Sequence, residues 1–136
     1  MDKPVKELAC EEPKPLQEKS TVEKAGETMR ALKAERFPVA SGDRLVGTVE
    51  GKYLERKAAG FGHDPTTTLV RGSMLKTVYY CFEDQPLEEA REIMRSNNLQ
   101  HLSVVDADLR VVGTVALTDL EAEQAQQTAE DAKAEG

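Results

Sequence analysis

The chain has no tryptophan, and its three tyrosines and three phenylalanines make an aromatic content of only 4%. Burial must therefore rest on Val, Leu, Ala and Met, side chains suited to helices packed on a sheet. Positive charge is also scarce: 18 Lys and Arg stand against 25 Asp and Glu, a formal net charge of −7, with no basic cluster. Without such a cluster the counterion release that drives nucleic-acid binding has no source, so no nucleic-acid partner is expected. No apolar run follows Met1-Asp2-Lys3-Pro4, and none approaches the roughly 18 residues of a membrane span, so neither a signal peptide nor a membrane partner is expected and the expected setting is cytoplasmic. The two cysteines, Cys10 and Cys81, have no spacing that suggests a metal site or a disulfide framework. They read as buried or incidental thiols.

What the chain does contain is a second copy of itself. The stretch from Val5 to Ser41 recurs without a gap at Val70 to Asp106, an offset of 65 residues. Glu18 meets Glu83, Val22 meets Leu87, Ala25 meets Ala90, Met29 meets Met94, Arg30 meets Arg95 and Val39 meets Val104. One extra residue near Asp108 then raises the offset to 66, and Val46-Gly47-Thr48-Val49 matches Val112-Gly113-Thr114-Val115. Two repeats of roughly 60 residues are each marginal alone and are expected to share one core. The division is a first repeat over 1–60, a connector over 61–68, a second repeat over 69–125, and a helix-prone tail over 126–136 that is expected to fray.

Each repeat reads as strand, helix, strand, strand, helix, a mixed α/β (α+β) class. Ser20-Thr21-Val22-Glu23 has the form of a capping box, and Val22, Ala25, Met29 and Leu32 follow at helical spacing. In the second copy Pro86 suits a first helical turn, Leu87, Ala90, Ile93 and Met94 rebuild the stripe, and the helix is expected to end near Asn97-Asn98. The strands are Arg36–Ala40 with Leu45–Val49, and His101–Val105 with Val111–Val115. The last helix of the first copy stops at Gly60, while that of the second opens on another capping box, Thr118-Asp119-Leu120-Glu121. Upstream, Leu16 and the run Thr77–Phe82 are candidate first strands. His63 with Asp64 is a lone pair in a loop, so no metal is expected.

The second copy carries Gln85-Pro86-Leu87-Glu88-Glu89-Ala90, then Met94, then His101-Leu102-Ser103-Val104-Val105-Asp106, then Val112-Gly113-Thr114-Val115-Ala116-Leu117-Thr118-Asp119-Leu120. In order, spacing and doubling this resembles the tandem cystathionine-β-synthase (CBS) domain pair, the Bateman module. Ala59-Gly60, Asp64-Pro65, the Thr cluster, Val70 and Met74 resemble small stand-alone bacterial members. The resemblance implies two βαββα repeats packed through their sheets with pseudo-twofold symmetry. It also implies two clefts that bind adenosine ligands, regulation in place of turnover, and a homodimer serving a regulated protein of unknown identity.

It implies a ribose signature as well, a Gly, then Ser or Thr, then an Asp at the start of the last helix. Gly113 and Asp119 fit it, Thr118 offers a further hydroxyl, and Ala116 replaces the Ser or Thr. The alternative is that Thr118 is an N-cap and Asp119 a first-turn acid favoured by the helix dipole. In the first copy Glu50 and Tyr53 stand at the positions of Ala116 and Asp119, so that cleft reads as degraded, with Lys52 the possible offset to Glu50. At most one nucleotide per chain is expected. The equivalent residues Arg36 and His101 are the candidate phosphate partners or, alternatively, solvated strand ends. Val78, Tyr79 and Tyr80, with Leu102 and Val115 behind, would form an adenine slot, though as residue types they read mostly as core. The leading expectation is thus a sensor of AMP, ADP or ATP that needs no cofactor. The alternative is a ligand-free dimerisation or adaptor module. No nucleophile–base pair or phosphate-cradling loop suggests an enzyme.

Overall fold

The computed structural model describes residues 3–54 and 64–135, with side chains through residue 126. The first repeat forms β1 (Leu16–Gln17), α1 (Val22–Leu32), β2 (Arg36–Ser41), β3 (Arg44–Glu50) and a helix α2 that opens at 51 and is described to 54. The second forms β4 (Tyr80–Phe82), α3 (Leu87–Ser96), β5 (His101–Val105), β6 (Val111–Ala116) and α4 (Leu117–Glu135). Each repeat holds a three-stranded sheet, β1-β2-β3 or β4-β5-β6, parallel at the first pairing and antiparallel at the second. His63, the expected stop at Gly60 and the side chains of the tail from Gln127 lie outside the described residues. Among the described residues no helix is long and apolar enough to cross a membrane.

The helices form where their apolar spacing predicts, but their ends shift. Thr21, not Ser20, caps α1: its hydroxyl accepts the Lys24 N–H at 3.2 Å. Ser20 lies one residue before the cap, where its backbone carbonyl accepts the N–H of Val70. Pro86 is itself the N-cap of α3, just outside the first turn, and the helix stops at Ser96 with Asn97 as C-cap. The β-rich run over Thr77–Phe82 forms a strand only at Tyr80–Phe82, where parallel pairing to β5 begins. The residues before it leave to pair with the other repeat.

That exchange organises the molecule. The segment preceding each repeat crosses to its neighbour, and the hydrogen bonds repeat with the sequence offset. Val5 N–H donates to the Gln85 carbonyl and Val70 N–H to the Ser20 carbonyl, both at 2.8 Å. Leu87 N–H donates to the Lys3 carbonyl at 2.9 Å, and Val22 N–H to the Thr68 carbonyl at 2.8 Å. Farther along, Cys10 pairs both ways with Thr114 on β6, and Leu75 both ways with Thr48 on β3. The outer edge of each sheet is thereby covered, which removes an open strand edge.

The expected single core is in fact two. One lies under α3 and α4 and includes Leu87, Met94, Leu102, Val104, Val115 and Leu120, but also Val5 from the opposite arm. The other lies under α1 and includes Val22, Met29, Phe37, Val39, Val49 and Leu54, but also Val70. Val5 and Val70 are both wholly buried, and each stabilises its host repeat by about 1.5–3 kcal/mol. Between the repeats β2 and β5 lie in contact, and at the hairpin tips Val111 N–H donates to the Asp43 carbonyl at 2.7 Å.

Candidate functional site

Arg36 opens β2 and His101 opens β5, so the repeat brings both to the seam between the two sheets. The Arg36 guanidinium is already occupied. Its Nη1 donates to the carbonyl of Asn97, at the end of α3, at 3.0 Å, and its Nη2 lies 3.9 Å from Glu50 Oε1, the residue directly opposite on β3. Glu50 is thus half-exposed, with Arg36 in place of Lys52 as the offset to its charge. His101 faces Ala116 in the equivalent ladder position and has no acid opposite it there. Its ring meets Phe37 of the first repeat edge-on, centroids 6.1 Å apart, and its buried Nδ1 has no hydrogen-bond partner among the described residues. Burial pushes the imidazole pKa below its ordinary value, and the nearby Asp119 carboxylate pushes it back up.

Thr118 and Asp119 stand in the first turn of α4. The expected cap at Thr118 does not form, because β6 runs straight into the helix: α4 opens at Leu117, whose N–H donates to the Gln100 carbonyl at 2.9 Å. Both side chains are exposed, and among the described residues neither makes a hydrogen bond or ion pair. The Asp119 carboxylate is therefore available to a ligand hydroxyl, beside the positive end of a helix. Gly113 has a structural duty. A Cβ there would sit 3.0 Å from the Ala9 Cβ and 3.2 Å from the Cys10 carbonyl oxygen, so the position allows the crossing arm to approach. Gly47 does the same more tightly, with 2.3 Å to the Leu75 carbonyl oxygen.

The arm exchange redistributes the expected adenine wall. Leu102 and Val115 are core residues beneath α3. Tyr79 follows the arm that pairs with β3 and lines a slot of about 10 Å3 with Phe37, Thr48, His101 and Ser103. Val78 is half-buried on the same arm, and Tyr80 packs edge-on against Phe82, centroids 5.6 Å apart. The strand that leads into Asp119 is flanked instead by the first arm: Thr114 Oγ1 donates to the Pro13 carbonyl at 2.7 Å, and Lys14 lies beside Val111–Gly113. His101 thus stands opposite Ala116 and near the Asp119 carboxylate, whereas Leu102 is turned into the core and Tyr80 packs on Phe82. Pro13, Lys14, Asn97 and Ser103 were missed, because matching the repeats position by position carries no signal for which arm serves which sheet. Tyr53, the counterpart of Asp119, keeps 46% of its surface exposed.

The family model for the CBS domain matches residues 70–124. The fold is similar to that of a CBS domain pair/ACT domain protein from Thermotoga maritima, with a TM-score of 0.76 at 19% identity, covering 91% of this chain and 98% of that one. It is similar to the AMP complex of CBSX2 from Arabidopsis thaliana, with a TM-score of 0.69 at 19% identity over 93% of this chain and 98% of that one. The ATP complex of the CBS domain of a bacterial CNNM/CorC family Mg2+ transporter gives 0.66 at 21%, over 89% and 86%. Among curated proteins, the chain is 27% identical over 85% of its length to a homoserine O-acetyltransferase from Methanohalobium evestigatum. It is 32% identical over 74% to an inosine-5'-monophosphate dehydrogenase from Methanocaldococcus jannaschii. It spans only 23% and 19% of those two proteins.

Proposed function

Starting from the chain being a tandem CBS domain pair, we propose that it is a regulatory module whose second repeat binds one adenosine nucleotide, AMP, ADP or ATP, and that it is not an enzyme. The observation that carries this reading is the pair of uncommitted groups, the Thr118 hydroxyl and the Asp119 carboxylate, at the start of α4. Asp119 accepts the ribose hydroxyls, Thr118 and His101 lie toward the phosphate, and Arg36 contributes its charge from across the seam. Similar folds bind AMP in CBSX2 and ATP in the transporter domain, which supports the ligand class. One nucleotide per chain follows because the first repeat offers Tyr53 and Glu50 in place of Asp119 and Ala116. A homodimer in the cytoplasm, acting on a separate regulated protein, completes the proposal.

Calorimetric titration of nucleotide-stripped protein with AMP and ATP tests it, with Asp119→Ala as control. Binding near one per chain is expected, weakened in the variant by about 1.5–3 kcal/mol for the loss of charged hydrogen bonds. A second reading, a ligand-free dimerisation or adaptor module, is favoured by the engagement of Arg36 with Asn97 and Glu50. Absence of heat with both nucleotides, in protein that is dimeric by light scattering, would select it.

A further inference from the structure

His101 and Ser103 lie two residues apart on β5 and so share a face. Each carries a buried polar atom, His101 Nδ1 and Ser103 Oγ, with no hydrogen-bond partner among the described residues. Ser103 is only 1% exposed. A buried hydroxyl or imidazole nitrogen left dry is costly, so nearly all such groups in folded proteins have a partner, ordered water included. Both residues line one slot of about 10 Å3, whose far wall includes Phe37 and Thr48 of the first repeat. That space is at the roughly 10–15 Å3 that one water molecule needs, and it is too small for a larger ligand. Among the described residues no carboxylate lines it, so nothing there selects a cation over water.

Thr48 supplies the third polar group. Its hydroxyl donates to the Thr77 carbonyl at 2.7 Å, so toward the slot its oxygen can only accept. A water in the slot then has a complete assignment. It donates one proton to Thr48 Oγ1 and the other to His101 Nδ1, and it accepts from the Ser103 hydroxyl. Three bonds is the usual number for a buried water. The His101 proton is left on Nε2. The reverse arrangement, with the proton on Nδ1, would leave the Ser103 hydroxyl proton without an acceptor. The first repeat has no counterpart to this site. Pro38 stands at the position of Ser103, and Arg36, turned to the Asn97 carbonyl, at that of His101.

We infer that this slot holds one resident water that bridges the two repeats, from Thr48 to His101 and Ser103, and fixes His101 as its Nε2–H tautomer. The inference does not depend on the nucleotide reading and is tested on the full chain without nucleotide. Oxygen-17 relaxation dispersion counts long-lived waters without interference from exchanging hydroxyl protons, and the ring nitrogen-15 shifts of His101, recorded above its titration, report the tautomer. The wild type should show His101 protonated on Nε2. Ser103→Ala, which removes the one donor to the water, should hold one long-lived water fewer, and its fraction of Nδ1–H tautomer should rise roughly fivefold, the order of one hydrogen bond. Thr48→Val, close in shape and on the other repeat, should lose the same water. A His101 protonated mainly on Nδ1 in the wild type would overturn the inference whether or not either variant folds. So would a water count unchanged in Ser103→Ala and Thr48→Val.

Discussion

Arg36 and Glu50 stand opposite one another on the β2–β3 ladder with their charged ends 3.9 Å apart, where the second repeat pairs His101 with Ala116. The first repeat thus neutralises its own cation while the second leaves its base without an acid across the strand. Glu50→Gln should release Arg36. Because the pair is partly exposed, the change should cost less than about 1 kcal/mol of stability. AMP and ATP should bind about fivefold more tightly, the order of one such ion pair. Unchanged affinity by calorimetry would place Arg36 beyond the reach of the phosphate.

His101 predicts a pH dependence. Its folded-state pKa lies below the ordinary value of 6.5, so between the two values the unfolded chain binds the extra proton. Its contribution to stability is complete above the unfolded value and is lost as pH falls through the folded one. The melting temperature should therefore decline on acidification below about 6.5, and the part due to this residue should vanish in His101→Gln. Since the Asp119 carboxylate raises the pKa, Asp119→Asn should move the His101 NMR titration midpoint still lower.

Two glycines predict opposite outcomes for the same substitution. In Gly26→Ala the new methyl meets only the flexible end of Arg30, and helix α1 should gain about 0.5–1 kcal/mol. In Gly47→Ala the methyl would lie 2.3 Å from a backbone carbonyl of the crossing arm, and roughly 1–3 kcal/mol should be lost. Urea unfolding of the two variants gives the comparison directly.

The thiols should differ in reactivity. Cys10 is exposed, whereas Cys81 is buried in the second core and its pKa is pushed up to about 12 by desolvation. A thiol reagent at neutral pH should titrate one group per chain in the native protein and the second only on unfolding. Two fast groups would mean that β4 opens readily.

Much of this was legible in the residues. The offset between Val5 and Val70 set the doubled architecture, and the three- and four-residue spacing of Val22, Ala25 and Met29 placed α1 and its buried stripe. The ends of elements were less legible, because they depend on contacts remote in sequence. Ser20 looks like a cap until the helix is seen to start one residue later with Thr21 capping it, and Thr118 looks like one until Leu117 bonds to Gln100. The candidate residues Asp119, Thr118 and His101 were legible, but not the surface around them. Tyr79 has the chemistry of an adenine wall, yet nothing local reveals that its segment is hydrogen-bonded to Thr48 of the other repeat.

The crossed arms also fix how the molecule can come apart. Pulling Val5 out opens the core of the second repeat and pulling Val70 out opens that of the first, so neither half holds a finished interior. Melting of one half must expose the other, and the chain should unfold as one cooperative unit despite its two hydrophobic clusters. A molecule bound to only one repeat would then protect the backbone amides of both from hydrogen exchange.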